Sequence, residues 1–325
     1  MQVTGKSSKS SSRDWLTPAG VLAFIFVLAW LGLATRALAS PATFITALPV
    51  AQDQVIVRFN AEPTLSTGDD TRLNRNFLDL QFPTDFAYGA TGKLAIFLTV
   101  DQGVGLDRQN SAEGRVTRSS SGFGDTLLFA RYTLIDIDKP ASTFRITPVL
   151  GAYLPSGYSD KSDHLGRLPG ELQNGSGSVD PYVGLAESFY TMHYGISWDA
   201  TYRYNPSASP GFTLGNEGRT DFQFEHLLYP WSIRSELPAH ELWGTVETNL
   251  IWNQRNRVAA TTDNQSGGVS WLVDAGLEWA ALDWEVGAVA EVPVVQRLYG
   301  TGRLTEDIGM VAFFEYYITM PSWRR

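Results

Sequence analysis

One stretch of the chain, from Val269 to Val294, alternates between apolar and other side chains with a period of two, broken only by a short turn at 280–283. A period of two predicts β-strands, and two such strands joined by a turn predict a hairpin. The tryptophans on its apolar face are placed at the strand ends: Trp279 and Trp284 flank the turn, and Trp271 lies near the opposite end. An apolar face with aromatic residues at both ends is typical of the outer wall of a membrane-spanning β-barrel. A soluble β-sandwich, whose strands also alternate, is the alternative.

Segments with strand character recur after residue 50 and number twelve, which is an even count, as in bacterial barrels. Strand lengths of about 9–12 residues also match a tilted crossing of the bilayer. We predict strands near 54–61, 76–88, 93–101, 124–135, 143–154, 181–190, 195–205, 220–228, 241–252, 269–279, 284–294 and 307–318.

The connections after odd-numbered strands differ in length from those after even-numbered strands. Those after even strands are mostly short, although 229–240 is an exception, whereas those after odd strands are long and polar. We therefore predict an all-β fold, an antiparallel transmembrane β-barrel of about twelve strands, with short periplasmic turns and longer extracellular loops. The predicted long loops are 62–75, 102–123, 155–180, 206–219, 253–268 and 295–306.

The first 39 residues have the pattern of a secretory signal peptide. Lys6, Lys9 and Arg13 precede an apolar run at 21–34, and a small-residue cleavage site ends at Ala39. The alternative is an uncleaved inner-membrane anchor, but the run is shorter than the about 20 residues that a spanning helix needs. We predict cleavage after Ala39, a single barrel domain at 40–325, and a location in the outer membrane of a Gram-negative bacterium.

The composition excludes several classes of protein. The chain has no cysteine, which excludes disulfides and thiolate metal sites. Its net charge of −9 would become −12 without residues 1–39, which hold four basic residues and one acidic residue. That sign disfavours nucleic acid as a partner. A mean hydropathy of −0.12 argues against a helical membrane protein and suits strands that are only half apolar.

Several short motifs, in this order, resemble one family of outer-membrane proteins, catalogued under the MetA pathway of phenol degradation. The resemblance covers nearly all of 44–318, and it implies a barrel transporter of the outer membrane. The link to phenol is inherited with the family's name. The third strand departs from the family pattern, because it ends Leu98-Thr99-Val100-Asp101 where the family tends to carry a proline-containing segment. The tail 319–325 also departs from the family pattern. The motifs lie at 44–50 (Phe-Ile-Thr-Ala-Leu-Pro-Val), 57–59 (Val-Arg-Phe), 88–94 (Tyr-Gly-Ala-Thr-Gly-Lys-Leu), 122–125 (Gly-Phe-Gly-Asp), 174–181 (Asn-Gly-Ser-Gly-Ser-Val-Asp-Pro) and 292–297 (Val-Pro-Val-Val-Gln-Arg).

If the apolar series faces lipid, the charged residues of the same strands face the lumen, because charged side chains at mid-membrane on the lipid face are destabilising. The basic lumen candidates come mostly from the first half of the barrel and the acidic ones from the second. We predict that the lumen is lined by Arg58, Arg131, Arg145, Arg203, Asp199, Asp221, Glu225, Glu247, Asp274, Glu278, Glu285, Glu291 and Glu315. We predict membrane girdles formed by Trp198, Trp252, Trp271, Trp279 and Trp284.

This charge segregation has two interpretations. Opposed charges can select solutes across a water-filled pore, as charged rings do in channels. Alternatively, arginines and carboxylates pair and fill the interior, since twelve strands lie between the filled eight-stranded and the open sixteen-stranded barrels. Loop 155–180 is either a constriction that folds inward or an outer loop.

Signals of catalysis are weak. The four histidines, His164, His193, His226 and His240, share no metal-ligand spacing, and no Gly-x-Ser-x-Gly motif is present. An outer-face lipid hydrolase using Ser188 and His226 remains an option. We predict no enzyme activity, no cofactor and no metal.

The leading hypothesis is a channel or transporter for small solutes, aromatic or amphipathic compounds among them. A structural or adhesive barrel whose lumen is closed by ion pairs is the alternative. The expected partners are outer-membrane lipid, a small-molecule solute and the barrel-assembly machinery, which reads an aromatic residue at the end of the last strand, here Tyr317 or Trp323.

Overall fold

The computed structural model describes residues 41–320 apart from 68, 70–71, 207–211, 232–238, 259–260 and 301–303. The predicted signal peptide, 1–39, lies outside the described residues. No helix in the described ranges is long and apolar enough to cross a membrane. The strands are β1 (Gln54–Thr67), β2 (Asn76–Gln81), β3 (Thr84–Gly89), β4 (Leu94–Val100), β5 (Gln102–Ser111), β6 (Gly114–Phe123), β7 (Thr126–Tyr132), β8 (Ile135–Lys139), β9 (Ser142–Leu154), β10 (Ser162–Asp163), β11 (Gly166–Arg167), β12 (Asp180–Thr191), β13 (Tyr194–Arg203), β14 (Phe212–Thr213), β15 (Glu217–Tyr229), β16 (His240–Asn253), β17 (Arg257–Val258), β18 (Thr261–Thr262), β19 (Gly268–Ala281), β20 (Trp284–Leu298) and β21 (Thr305–Thr319), with a 3-10 turn at Gly170–Leu172.

The main sheet is antiparallel and closes on itself. The strands pair in the order β21-β20-β19-β16-β15-β13-β12-β9-β7-β4-β3-β1, and the first strand, β1, pairs with the last, β21, from Gln54 opposite Thr319 to Thr67 opposite Thr305. Closure leaves no unpaired edge around this part of the wall, which is the condition for a sheet that crosses a bilayer.

Three positions in the wall are occupied by strands that are interrupted. β1 pairs with β3 along its first half and with β2 along its second, so β2 and β3 are two pieces of one wall strand. The break falls at Pro83, which has no N–H to give to the ladder, and the Asn60 N–H donates to the Pro83 carbonyl at 2.9 Å. β4 and β5 are likewise divided at Asp101, and β6 and β7 at 124–125. Counted in this way the wall has twelve strands, and the predicted fold class is confirmed.

One predicted connection is wrong. The segment 102–123 is not a loop but the β5–β6 hairpin, whose strands pair from Gln102 opposite Phe123 to Ser111 opposite Gly114. Its tip is polar on both faces, as expected where both faces meet water, and the alternation that marks the membrane strands is therefore missing there. The short connection at 133–141 contains a further strand, β8, which pairs with β9 and extends the wall.

The two faces of the wall meet different surroundings. In β19 the outward side chains of Trp271 and Leu277 are 42% and 53% exposed, whereas the inward carboxyl groups of Asp274 and Glu278 are fully buried. A soluble sandwich would bury the indoles and expose the carboxylates. This arrangement is instead that of a barrel with an apolar exterior and a polar lumen.

Candidate functional site

The lumen contains a piece of the chain that is not part of the wall. Residues 41–52, named here the inner segment, precede β1 and run from its start into the middle of the barrel. Prolines at 41 and 49 remove two of its backbone donors. Its remaining polar groups bond to side chains that project from the wall, as the following contacts show.

The first contacts lie on the acidic side of the lumen. The Ala42 N–H donates to one oxygen of Glu247 at 2.8 Å, and the Thr43 hydroxyl donates to the other at 2.5 Å. The Arg219 guanidinium donates to the Thr43 carbonyl at 2.9 Å. Further along, the Ile45 N–H donates to Asp199 at 3.3 Å.

On the opposite side the inner segment is bound by β7, β9 and β12. Arg131 donates to the Leu48 carbonyl at 2.9 Å and also bonds the Thr46 carbonyl. The Ala47 N–H donates to the Ser188 hydroxyl at 3.0 Å, and the Thr147 hydroxyl donates to the Ala47 carbonyl at 3.2 Å. The inner segment therefore spans the lumen from the β16 wall to the β7–β12 wall.

Small apolar contacts complete the attachment of the inner segment. Ala42 packs with Val289 and Phe313 from β20 and β21. Val50 packs with Ala87 and Ala95 from β3 and β4. Fully burying a side chain of the size of valine stabilises a structure by about 1.5–3 kcal/mol. These contacts therefore add to the hydrogen bonds but are weak enough for the inner segment to detach.

The lumen at the short-turn end is filled by acidic side chains. Glu225, Glu247, Glu278 and Glu285 have no exposed surface. Among the described residues, no group donates to either oxygen of Glu225 or Glu278. The described part of the chain contains no group of His, Cys, Asp and Glu side chains able to hold a metal ion.

At the long-loop end, the loop 155–179 packs against inward-facing residues of the wall. Leu168 and Leu172 bury against Phe77 of β2. Arg118 of β6 donates to Asp163 at 2.8 Å from two of its nitrogens, and these hydrogen bonds lower the pKa of Asp163. The loop therefore packs on the inner side of β2 and β6, and its role as a constriction stays a prediction.

A cavity of about 420 Å³ borders the inner segment inside the barrel. Its aromatic wall is formed by Phe97, Phe129, Tyr153 and Tyr182; the first two stack with ring centroids 4.7 Å apart, and the last two meet edge to face at 5.7 Å. Arg131 lies over Phe97 at 4.2 Å. The cavity is lined both by the inner segment and by inward-facing residues of the wall.

The predicted lumen residues lie in four places. Arg145 lies at the short-turn end and pairs with Asp136 and Asp138 of β8 at 2.7 and 2.8 Å. The Thr143 hydroxyl and then Arg145 hydrogen-bond Asp138 and lower its pKa. Arg203 lies towards the long-loop end, where it pairs with Asp180 and stacks on Tyr153. Those that line the cavity are Arg58, Arg131, Asp199, Asp221 and Glu315, and those on the acidic side are Glu225, Glu247, Asp274, Glu278, Glu285 and Glu291.

Four of the predicted girdle tryptophans lie near strand ends on the outer face. Trp252 and Trp271 are at the long-loop end, and Trp279 and Trp284 are at the short-turn end. The fifth, Trp198, lies near the middle of β13, where its indole N–H donates to the Thr220 hydroxyl at 3.0 Å. A buried or half-buried indole usually finds such a partner, and the girdle role of Trp198 stays a prediction.

The hydrolase option is wrong in its geometry. Ser188 is 1% exposed and faces the lumen, where it accepts from Ala47. His226 is exposed on the outer face of β15. A serine and its general base must lie within hydrogen-bond reach, and the wall separates these two.

The comparisons with known proteins concern the fold. No family model and no curated protein matches the sequence. Among solved structures, the chain is similar to an outer membrane channel from Pseudomonas putida F1, with a TM-score of 0.59, 12% identity, and coverage of 86% of this chain and 99% of that one. It is more loosely similar to the translocator domain of the autotransporter NalP from Neisseria meningitidis, with a TM-score of 0.42, 11% identity, and coverage of 81% and 87%.

The fold is that of a Gram-negative outer-membrane β-barrel. At 12% identity the likeness supports this architecture, which the closed twelve-stranded wall and its apolar exterior show independently. The family name that the motifs suggest stays a prediction, because no family model matches.

Proposed function

We propose that this protein is an outer-membrane channel for small solutes and that the inner segment closes it in the form described here. The proposal rests on the observation that the contacts across the lumen are made by a separate segment of the chain and not by the wall strands alone. A separate segment, attached to the wall strands through hydrogen bonds and small apolar contacts, crosses the barrel between two regions of the wall.

The competing interpretation, a barrel closed permanently by ion pairs of the wall, fits these contacts less well. The ion pair between Arg58 and Glu315, at 3.6 Å, joins residues directly opposite each other on neighbouring strands. Arg219 and Asp221, at 2.6 Å, lie on the same strand. Such pairs stiffen the wall but do not cross the lumen, so they do not close it as the inner segment does.

The similarity to an outer membrane channel supports the same function. We infer that solutes enter from the long-loop side, occupy the cavity, and pass the inner segment when it moves. The motif resemblance is consistent with a transporter, and the family assignment itself is part of this proposal, as are the single domain at 40–325 and assembly by the barrel-assembly machinery.

The test is a comparison of conductance in planar bilayers. We expect small or rare openings for the wild type and large, long-lived openings for a variant that lacks residues 41–50. Folding of both proteins is checked by heat-modifiable mobility on gels, which reports a closed barrel. If two folded barrels both fail to conduct, the channel function is wrong, and the structural or adhesive interpretation takes its place.

A further inference from the structure

We infer that the lumen cavity binds a small organic cation, a protonated amine on a compact apolar body. The inference rests on the proposed function, because it takes the cavity as a stage on the path of the solute. It adds the chemical class of that solute, which neither the fold nor the similarity to a channel specifies.

One side of the cavity suits the apolar body of such a solute. Phe97, Phe129, Tyr153 and Tyr182 form a continuous cluster of rings, with Phe129 and Tyr182 at 6.2 Å linking the two pairs. Aromatic faces attract cations through their quadrupole. This wall already accommodates positive groups, since Arg203 lies 3.9 Å from the centre of the Tyr153 ring.

The positive charges of the cavity are already bound to the protein. Three arginines line it, and each is held by acceptors of the chain. Arg58 bonds Asn60 at 3.0 Å and pairs with Glu315. Arg131 donates to backbone carbonyls, and Arg219 pairs with Asp221. An incoming anion would therefore have to displace an existing partner.

The acidic side chains of the lining outnumber the basic ones. Seven carboxyl groups line the cavity against the three guanidinium groups. Glu62 and Asp101 are the important ones, because within the described part of the chain neither side chain makes a hydrogen bond. A carboxylate that keeps no partner in the protein is available to a ligand that can donate.

A second observation, in a different part of the lining, indicates the same chemistry. Asp199 and Asp221 face each other across β13 and β15, and each is 1% exposed. The Oδ1 atoms of both are buried without a donor among the described residues. Buried acceptors without donors are costly, and an ammonium group supplies donors whereas a carboxylate or an ether does not.

The test uses three ligands of one shape that differ in charge: cyclohexylmethylammonium, cyclohexylmethanol and cyclohexanecarboxylate. Their binding to the full-length barrel in detergent is measured by isothermal titration calorimetry. We expect the amine to bind about tenfold more tightly than the alcohol, in keeping with the strength of a desolvated cation–aromatic contact. The carboxylate should bind more weakly than either.

Substitutions locate the site. Asp101→Asn and Glu62→Gln should each weaken amine binding about five- to tenfold and leave alcohol binding unchanged, because each removes a charge at nearly constant shape. Asp160→Asn is the matched control, since Asp160 is exposed in the loop 155–179. Two substitutions are used so that a folding defect in one leaves the other as a test.

The failure of this inference differs from the failure of the proposed function. If the alcohol binds as tightly as the amine, or if both variants bind the amine like the wild type, the cation site is wrong even when the barrel conducts. If the amine binds as expected but neither the wild type nor the variant lacking 41–50 conducts, the cation site stands and the channel is wrong.

Discussion

Ala42 and Glu247 lie 205 positions apart in the sequence and meet in the middle of the barrel, where the Ala42 N–H donates to the Glu247 carboxylate at 2.8 Å. The same carboxylate accepts from the Thr43 hydroxyl. One wall residue therefore holds the far end of the inner segment, and the following predictions concern how the segment is held.

Glu247→Gln should loosen the far end of the inner segment. Hydrogen bonds to a charged acceptor contribute about 1.5–3 kcal/mol against about 1 kcal/mol for neutral ones, and a difference of about 1.4 kcal/mol is tenfold in an equilibrium. We expect the open fraction in single-channel recordings to rise about tenfold. Asp160→Asn is the control, and an open fraction equal to that of the wild type would show that Glu247 does not hold the segment.

Gly89→Ala should displace the base of the inner segment. A Cβ atom at Gly89 would lie 1.9 Å from the Ala51 carbonyl oxygen, too close for any contact, so the segment must shift. Gly92, in the same turn, has open space around its missing Cβ and gives a matched control. We expect Gly89→Ala to be leaky in liposome swelling assays and Gly92→Ala to behave like the wild type. Equal swelling rates for the two variants would contradict the close approach of the Ala51 backbone to Gly89.

Docking of the loop 155–179 should depend on pH. The hydrogen bonds from Arg118 lower the pKa of Asp163 below its ordinary value of about 3.9. Because the carboxylate form is the one that is bound, the stabilisation is complete above the ordinary pKa and is lost as the pH falls through the lowered pKa. We expect the protection of the backbone amides in 155–179, measured relative to their intrinsic exchange rates, to fall on acidification below about pH 4.

The matched variant for this prediction is Asp163→Asn. It removes the titrating group, so exchange in the loop should be faster than in the wild type at neutral pH and should show a smaller change on acidification. An acid transition of the same size in both proteins would assign the pH dependence to another group.

Much of the wall could be predicted from the sequence, for a physical reason. Where one face of a strand meets hydrocarbon and the other meets a polar lumen, the period of two is imposed on every residue. β19 and β20 show this most clearly, with Trp271 outside and Asp274 inside. The twelve wall positions follow from that period and from turn residues, whereas the β5–β6 hairpin at 102–123 does not.

The candidate site was predicted less well, because its residues escape that rule. The cavity has aromatic residues on the inner face, such as Phe97 and Tyr182, beside apolar residues on the outer face, which weakens the alternation of β4 and β12. The inner segment pairs with side chains rather than with a strand, and no local pattern records which side chains. In the sequence it is marked only by the motif at 44–50, and the spacing of that motif does not predict which side chains the segment contacts.

The measurement that tests the central claim most directly uses a chemical tether. The chain has no cysteine, so Ala47→Cys with Ser188→Cys introduces one pair at a place where the Ala47 N–H and the Ser188 hydroxyl are 3.0 Å apart. Formation of the disulfide would fix the inner segment to β12, and reduction would release it. The two single-cysteine variants are the controls.

We expect the oxidised double variant to be closed in planar bilayers, and its conductance to appear on reduction while both single variants stay unaffected by redox state. Conductance that is the same before and after reduction, in a protein whose disulfide is verified by mass spectrometry, would show that solutes do not pass where the inner segment lies.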